Sequence, residues 1–362
     1  MNILVLPQSH GSYNSIRPEF EIYRSLAKAG HHLTIIVHRE CAYLPYLDNP
    51  GIKIVFLNIK HKVSLTAIKL IRQIILLDEI QIVYTTHSRK ISNATIACIG
   101  LNVKLVLYRG TTGGLHWFDP SSYLNALNPR VDAVICVSES VRQSVTEKVR
   151  EKLKSRVVTI YKGHDLSWYK NTPVELEQFN SNSQSFNVVC VLNVRPHKGL
   201  SYLLQAAKEL ADLKDLHIIL VGQKTNKKNY IKLIKNSGMQ ERIKITGYRH
   251  DTPEIIAACN VLVSPSYRKE GLPRVLLESL SYKIPVIAAG NSCSKEIIEE
   301  GVNGYIVAIK DSHAIANKIR FLYNNPEQLS TLSEHCQQTI TDKFSHQITV
   351  KKYIEFFQQL LK

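Results

Sequence analysis

Two glutamates stand eight residues apart in the phrase SPSYRKEGLPRVLLESLSYKIPVIAAG at 264–290, with Glu270 before GLP and Glu278 inside a predicted helix. Eight helical residues rise about 12 Å and rotate about 80° beyond two turns, so both carboxylates are expected to face one groove. That separation suits gripping two ends of an extended ligand better than acid–base chemistry, which needs about 5–10 Å. The helix start near Leu272 also offers free N–H groups to an anion. The alternative is two solvated carboxylates on a helix face.

A second candidate segment is VCVLNVRPHKGLSYLLQA at 189–206, which places two cations between a strand and a helix. Arg195 and Lys198 precede a helix that opens at Gly199. In an open α/β sheet such a loop lies at the carboxyl end of the strands, where phosphates bind. Arginine can hold a phosphate through two hydrogen bonds, and lysine adds a point charge. The alternative is an ordinary surface loop with two cations.

Several well-known motifs are missing from the sequence, which has no GxGxxG, Walker loop, HExxH, GxSxG or Asp-x-Asp. Their absence removes the main support for a dinucleotide oxidoreductase or a P-loop enzyme. Nucleic-acid binding has no support beyond the net charge, because basic and aromatic residues do not interleave.

The elements that must position these residues alternate between short apolar strands and helices along the whole chain. Near-continuous apolar runs such as LTIIV and DAVICV are typical of parallel strands covered on both faces, which predicts an α/β fold. The predicted strands are 2–6, 32–37, 52–58, 81–86, 103–108, 132–137, 156–161, 187–192, 217–221, 242–246, 260–264, 284–288 and 304–307. The predicted helices are 18–29, 63–79, 91–100, 138–153, 200–213, 227–237, 253–259, 271–282, 313–323, 326–341 and 346–361.

A polar stretch, KNTPVELEQFNSNSQS at 170–185, interrupts the alternation and is interpreted as a linker between two domains. A chain of 362 residues also exceeds the size of one growing core. The predicted domains are therefore 1–169 and 186–345. Two similar α/β halves imply a cleft between them as the ligand site.

The net charge of +16, from 46 Lys+Arg and 30 Asp+Glu, favours an anionic partner: nucleic acid, an anionic membrane surface or a phosphorylated small molecule. Seven cysteines without a CxxC pair indicate buried free thiols in a reducing compartment. The N-terminal run is interpreted as a strand and not as a signal peptide, and no stretch is long enough to span a membrane. We expect a cytoplasmic protein that contacts the inner face of the membrane by its surface.

Taken together, these segments resemble glycosyltransferase family 4, the retaining GT-B enzymes that use nucleotide-sugar donors. The resemblance covers nearly the whole chain and is strongest over 186–310, where VLNVRPHKG, LHIILVGQ, IKITGY and IIEEGVNGYIV follow the family's order around the Glu-seven-Glu phrase. It implies two Rossmann-like domains facing across a cleft, an N-terminal acceptor domain, a C-terminal donor domain, and a last segment, 346–362, that packs back on the first domain.

The resemblance also implies roles for individual residues. Glu278 matches the glutamate that binds the donor ribose, and Glu270 matches the one against the transferred sugar. Arg195 and Lys198 match the cations that hold the diphosphate and replace a metal, so no cofactor and no essential metal are expected. The remaining donor-binding positions are Gly271, Leu272, Pro273, Gly222, Gly247, Tyr248, Gly11 and Ser12.

The first domain departs from the family pattern in two places. LPQSHGSYNSIRPEF lacks the usual Gly-Gly pair, and Arg109 stands where many members carry a catalytic-site His. Arginine is no base, but it can hold a phosphate or an acidic acceptor; His116 and His87 are the open alternatives for that His.

The implied reaction is retaining transfer to a glycan or lipid-linked acceptor in cell-surface polysaccharide or lipopolysaccharide synthesis. A non-catalytic glycan- or nucleotide-binding relative and a sugar-nucleotide epimerase of the same fold remain alternatives.

Overall fold

The structure is a computed structural model that describes residues 1–169, 172–268 and 270–362, without the side chain of Ser88. Residues 170 and 171, the first two of the predicted linker, therefore lie outside the described residues. Within the described residues the chain divides into two α/β units. Unit 1 contains 1–163 and 346–362, and unit 2 contains 164–345.

The strands of the two sheets are short and mainly apolar, and most of them are buried as expected for strands covered on both faces, whereas the edge strands 52–56 and 243–247 are partly exposed. The strands of unit 1 are β1 Asn2–Leu6, β2 His32–Val37, β3 Ile52–Phe56, β4 Ile82–Thr85, β5 Lys104–Arg109, β6 Ala133–Cys136 and β7 Val157–Thr159. The strands of unit 2 are β8 Phe186–Val191, β9 Leu216–Val221, β10 Ile243–Gly247, β11 Val261–Ser264, β12 Val286–Ala289 and β13 Gly304–Val307.

The helices alternate with the strands and cover the sheets. Those of unit 1 are α1 Tyr13–Lys28, α2 Leu65–Leu77, α3 Ser88–Ala97, α4 Glu139–Thr146, α5 Glu151–Lys154 and the final α13 His346–Leu361. Those of unit 2 are α6 Leu200–Glu209, α7 Lys228–Lys235, α8 Thr252–Ala257, α9 Arg274–Ser281, α10 Ser294–Ile297, α11 Ser312–Asn324 and α12 Pro326–Lys343.

Both sheets have a strand order that reverses near the middle. The seven described strands of unit 1 run β3-β2-β1-β4-β5-β6-β7, and the six of unit 2 run β10-β9-β8-β11-β12-β13. All the neighbouring strands are parallel. The order therefore switches between β1 and β4 in one sheet and between β8 and β11 in the other. Ligands of open α/β sheets bind beyond the carboxyl ends of the strands at such points.

The last helix, α13, packs in unit 1, as the resemblance implied. Its Tyr353 is fully buried, and the hydroxyl of Tyr353 lies 2.8 Å from that of Tyr84 on β4. At the start of the helix, His346 Nε2 lies 2.8 Å from Ser25 Oγ on α1. A hydrophobic face and two polar contacts therefore fix α13 on this unit.

Several helix predictions were wrong in their limits: 91–100 is α3 Ser88–Ala97, 200–213 is α6 Leu200–Glu209, and three further cases follow. Helix α1 begins at Tyr13, because the Ser12 carbonyl accepts the amides of Ser15 and Ile16, so Pro18 lies inside the helix. The predicted helix 138–153 is two helices, α4 and α5. Helix α9 begins at Arg274 with Pro273 as its N-cap, so Glu270 lies outside it and the 12 Å helical rise does not relate Glu270 to Glu278.

The described part of the predicted linker, 172–185, belongs to unit 2. It contains a 3₁₀ turn at Leu176–Phe179 that buries Leu176 and Phe179, and the Val174 amide donates to the Glu254 carbonyl. The few apolar residues of this polar stretch therefore anchor it.

All seven cysteines are buried and none of them forms a disulfide within the described residues, which confirms the prediction from their apolar surroundings. Among the described residues, none of the helices combines the length and the apolar character that crossing a bilayer requires.

Candidate functional site

The switch point of the second sheet brings two loops together. The segment 192–199 follows β8, and the segment 265–273, described except for 269, follows the neighbouring strand β11. Both leave the carboxyl edge of the sheet, where the strand order reverses. The two candidate segments of the sequence therefore meet at the place where this architecture binds ligands.

Gly199 lets the two loops approach closely. Its φ of +71° lies in the left-handed region, and a Cβ at this position would stand 2.1 Å from the Pro265 carbonyl oxygen. Only glycine accommodates both the dihedral and the contact. The Tyr267 amide also donates to the His197 carbonyl at 3.1 Å, which ties the loops together.

Lys198 and Glu270 form an ion pair across this junction. Lys198 Nζ lies 2.6 Å from Glu270 Oε1, and the glutamate side chain is only 10% exposed. An ammonium has three N–H donors and a carboxylate has two oxygens, so one contact leaves capacity on both groups. The pair is therefore held in place and can still bind a ligand that offers acceptors to the lysine and donors to the glutamate.

Arg195 supplies a second cation on the same turn. Its carbonyl accepts the Lys198 amide at 2.9 Å, which closes the 3₁₀ turn Pro196–Lys198, and its side chain is exposed. Beyond Glu270, Gly271 is buried, and Leu272 and Pro273 are half-buried and lead into α9. Two cations and the start of a helix thus border one small region, which favours an anion.

Glu278 lies within α9 and is 4% exposed. Arg274 Nε donates to Glu278 Oε1 at 2.8 Å, an i,i+4 pair in which the arginine is the more exposed partner. Arg274 was not among the residues predicted from the sequence, although its spacing from Glu278 is the usual one for a helical ion pair. The arginine orients the carboxylate and balances its charge.

A second edge of the site is formed by a glycine just after β9 and a glycine at the end of β10. Gly222 has φ +130°, and a Cβ there would stand 2.0 Å from the Leu192 carbonyl oxygen. The Gly222 amide donates to the Gly247 carbonyl at 2.7 Å, which joins two of the predicted donor-binding positions directly. Tyr248 follows, 49% exposed, with its ring edge-on to His250 at 5.0 Å.

Asn291, which was not predicted from the sequence, holds the loop 265–273 in place through side-chain hydrogen bonds to the backbone. Its amide nitrogen donates to the Ser266 carbonyl at 2.7 Å, and its oxygen accepts the amides of Cys293 and Ser294 at 3.0 Å each. The Cys293 thiol also donates to the Glu270 carbonyl at 3.3 Å. A single asparagine gives no sequence signal, because only the fold shows which backbone groups it reaches.

In unit 1 the loop after β1 carries Gly11 and Ser12 at that sheet's switch point. Gly11 has φ +141°, and a Cβ there would stand 2.4 Å from Ser15 Oγ. The Ser12 carbonyl accepts the Ser15 amide at 2.9 Å and so begins α1. These residues place the first turn of α1, with its free amides, at the carboxyl edge of the first sheet.

Lys90, which was not predicted from the sequence, holds this loop through hydrogen bonds to backbone carbonyls. The buried ammonium donates to the Pro7 carbonyl at 2.7 Å and to the Ile36 carbonyl at 3.1 Å, just beyond β1 and within β2. Burial lowers the pKa of Lys90 to about 8. The lysine therefore holds two strand ends together.

His87 is the N-cap residue of α3 at the same edge. Burial, and next the charges of Lys90 and Arg89, lower the pKa of His87, so the imidazole is neutral at pH 7. Its Nδ1 is buried and makes no hydrogen bond within the described residues. His116 is different: it is exposed, and its ring stacks on Phe118 at 5.1 Å.

Arg109 ends β5, and its Nη2 donates to the Gly113 carbonyl at 2.7 Å. Its Nε is buried and has no partner in the part of the chain that the structure describes. Burial lowers the pKa of Arg109, although an arginine remains charged at neutral pH. A half-buried cation with unused donor capacity at the carboxyl edge fits an anionic group.

The chemistry open to these residues is the binding of an anionic ligand that also carries hydroxyl groups. Across the described residues, no three His, Cys, Asp or Glu side chains are arranged to hold a metal ion. Cations and backbone amides can hold phosphates, and the two glutamates can accept hydrogen bonds from hydroxyl groups.

Comparisons with known proteins agree with these features. A model of the glycosyl transferases group 1 matches residues 171–339, and a model of glycosyltransferase family 4 matches residues 20–168. The chain is similar to N-acetyl-alpha-D-glucosaminyl L-malate synthase of Bacillus anthracis, with 24% identity over 73% of the chain and 70% of the relative. It is also similar to the lipopolysaccharide core biosynthesis glycosyltransferase LpsE of Rhizobium meliloti, with 23% identity over 62% and 63%.

One solved structure has nearly the same overall length. HepE of Anabaena, in complex with UDP, superposes with a TM-score of 0.82 at 21% identity, covering 99% of this chain and all of that one. The chain covers a smaller share of the length of some curated relatives, and only 47% of the length of one from Bacillus subtilis. The two family models together cover most of the sequence, and the sheets have the strand order of Rossmann-like units. The chain therefore belongs to glycosyltransferase family 4 and has the GT-B fold.

Proposed function

We propose that the protein transfers a sugar from a nucleotide-sugar donor to a glycan or lipid-linked acceptor, with retention of the anomeric configuration. The observation that carries this proposal is the Lys198–Glu270 pair at the switch point of the second sheet, 2.6 Å between Nζ and Oε1. It offers a cation for a departing phosphate next to a carboxylate for the hydroxyls of a sugar.

Lys198 and Arg195 stabilise the leaving group. A departing nucleoside diphosphate gains negative charge as the glycosidic bond breaks, so a fixed cation stabilises the transition state more than the ground state. Glu270 orients Lys198 and accepts hydrogen bonds from the transferred sugar. The contact with Glu270 also keeps the ammonium from moving, so no reorganisation is needed when the charge develops.

The remaining donor contacts follow from the same edge of the sheet. Glu278, oriented by Arg274, accepts from the ribose hydroxyls, and the amides of 271–273 approach the diphosphate and sugar. Gly247, where a Cβ would meet nothing within 4 Å, leaves the space next to Tyr248 open for the base, whereas Gly222 packs against the Leu192 carbonyl. HepE of Anabaena was crystallised with UDP, which supports a uridine nucleotide as the first donor to test.

Unit 1 has its own groups for an anionic ligand. Gly11 and Ser12 place the first-turn amides of α1, which can bind a phosphate, at the carboxyl edge of the first sheet, and Arg109 uses its buried Nε on a phosphate or an acidic acceptor. His87, whose lowered pKa favours the neutral imidazole, is a histidine of this edge that can exchange a proton. His116 lies in the loop after β5 at the same edge, but its ring is exposed and stacks on Phe118.

No metal is required in this account, because side-chain cations balance the diphosphate charge. The acceptor is drawn from cell-surface polysaccharide or lipopolysaccharide synthesis, which the name of the LpsE relative supports. The net charge of +16 supports work on the cytoplasmic side of the membrane, at a surface rich in anionic lipids.

The anomeric configuration of the product tests the reaction type. No carboxylate of unit 1 is an evident nucleophile, so we expect front-face attack assisted by the departing phosphate oxygen. An α-linked donor should then give an α-linked product, read from the coupling constant of the anomeric proton. A β-linked product from an α-linked donor would contradict the proposed mechanism.

The same experiment separates the alternatives. An epimerase would release a changed sugar without a new glycosidic bond, and a non-catalytic relative would leave the donor intact. Donor cleavage that is lost in Glu270→Ala would assign the activity to this site.

A further inference from the structure

Two loops of unit 1 form one surface beside α3. The loop 57–64 follows β3, and the loop 110–131 follows β5. The buried Asn93 amide donates to the carbonyls of His61 and Lys62 at 3.1 Å each, and Ser92 Oγ donates to the Leu124 carbonyl at 3.3 Å. Consecutive residues of α3 thus hold both loops at the carboxyl edge of the first sheet.

These loops expose large apolar side chains that the interior does not use. Trp117 is 75% exposed, Phe118 68% and Leu65, at the start of α2, 74%. Val63 and Tyr123 are about half exposed. Leu115, in contrast, is buried and anchors the second loop. We call the surface formed by 60–65, Arg89, Trp117, Phe118 and Tyr123 the loop patch.

The charge of the loop patch is positive. Lys60, Lys62 and Arg89 are exposed, and no acidic residue occurs between 57 and 77. The second loop has one acidic residue, Asp119, whose carboxylate accepts the Ser121 amide and hydroxyl at 2.9 and 2.8 Å. These hydrogen bonds lower the pKa of Asp119, so its carboxylate stays ionised and is engaged by Ser121 of its own loop.

Exposed apolar side chains beside basic residues suit the interface of an anionic bilayer. Tryptophan and other aromatic side chains are enriched at the level of lipid headgroups, and basic residues beside them are attracted to anionic lipids. The Trp117 and Phe118 rings stand at 86° to each other, so they form no single flat platform for a sugar. Leu65 and Val63 cannot form side-chain hydrogen bonds with a glycan. A second copy of this chain would place its own lysines against Lys60 and Lys62, and the like charges would repel.

We propose that the loop patch docks on an anionic lipid bilayer, with Trp117, Phe118 and Leu65 entering the interface while Lys60 and Lys62 face lipid phosphates. This proposal rests on the proposed function, because the use of docking is to hold unit 1 at the surface where a lipid-linked acceptor lies.

Co-sedimentation of the full chain with vesicles tests this, without donor or acceptor present. The vesicles are phosphatidylcholine alone or phosphatidylcholine with phosphatidylglycerol, at low and high salt. We expect the wild-type chain to bind the anionic vesicles, and Trp117→Ser with Phe118→Ser to weaken binding about tenfold or more. Lys60→Glu with Lys62→Glu should weaken it at least as much, and only at low salt.

Matched variants elsewhere in unit 1 control for general loss of apolar surface or charge. Leu76→Ser with Leu77→Ser removes two exposed leucines at the other end of α2, and Lys28→Glu with Lys152→Glu reverses two exposed lysines. Both should bind like the wild type. Equal binding to neutral and anionic vesicles, or equal losses in the controls, would overturn the proposal.

A parallel assay distinguishes the failure of docking from the failure of the proposed function. Donor cleavage with a water-soluble acceptor should be unchanged in the loop-patch variants, whose substituted side chains are exposed. If the aromatic variant instead loses transfer to that acceptor and keeps its vesicle binding, the surface binds the acceptor glycan and docking is excluded. Wild-type chain that binds vesicles but no nucleotide-sugar would contradict only the proposed function.

Discussion

Lys198→Ala will lower kcat/KM for sugar transfer by about 10²- to 10³-fold, the usual effect of losing one preorganised group that stabilises developing negative charge. The ammonium is held 2.6 Å from Glu270 on a turn fixed by Gly199, so its position is set before the charge develops. The loss should appear mainly in kcat, because the diphosphate gains charge in the transition state.

Steady-state kinetics with the best donor measure this effect. Lys208→Ala is the matched control, since Lys208 is an exposed lysine on α6 of the same unit and its removal changes the net charge equally. The control should stay within about twofold of the wild type, as is usual for surface substitutions. Similar kinetics for Lys198→Ala and Lys208→Ala would remove Lys198 from the reaction.

Gly199→Ala will destabilise unit 2 by about 3–4 kcal/mol and abolish transfer. An alanine there must adopt φ +71° and also move the Pro265 carbonyl, which would be 2.1 Å from the new Cβ. Because Pro265 begins the loop that carries Glu270, relief of the clash separates Lys198 from its partner. We expect a fall in Tm of about 6–12 °C.

Gly301→Ala is the control for the dihedral alone. Gly301 has φ +77° in the same unit, but a Cβ there meets nothing within 4 Å. Its substitution should cost only about 1–2 kcal/mol and leave transfer intact. If the two variants have the same Tm and the same activity, the close approach of the loops is not what Gly199 provides.

The sheets could be predicted from the sequence because their strands are buried on both faces. An apolar run such as DAVICV needs no knowledge of its neighbours to be identified, and β6 falls within it at Ala133–Cys136. Helix limits were less predictable where they depend on local hydrogen bonds. Pro18 favours a helix start in the sequence, whereas the Ser12 carbonyl begins α1 five residues earlier.

The residue types of the site could be proposed from the sequence, but not their partners. Lys198 and Glu270 are 72 residues apart, and only the pairing of β8 with β11 brings their loops together. Arg274 and Asn291 were missed for the same reason, since a surface arginine and a loop asparagine look ordinary until the fold shows what they contact. The position of Glu270 before α9 depends on the Pro273 cap.

Thermal unfolding with a panel of nucleosides, nucleoside diphosphates and nucleotide-sugars, in EDTA and in Mg²⁺, tests the donor site most directly. We expect the diphosphate or the nucleotide-sugar of one base to raise Tm by about 5–10 °C at about 100 times its Kd. The rise should be the same with and without metal. Lys198→Ala should lose the advantage of the diphosphate over the nucleoside. A shift that requires Mg²⁺, or no shift with any nucleotide, would contradict a metal-independent nucleotide-sugar site at the Lys198–Glu270 pair.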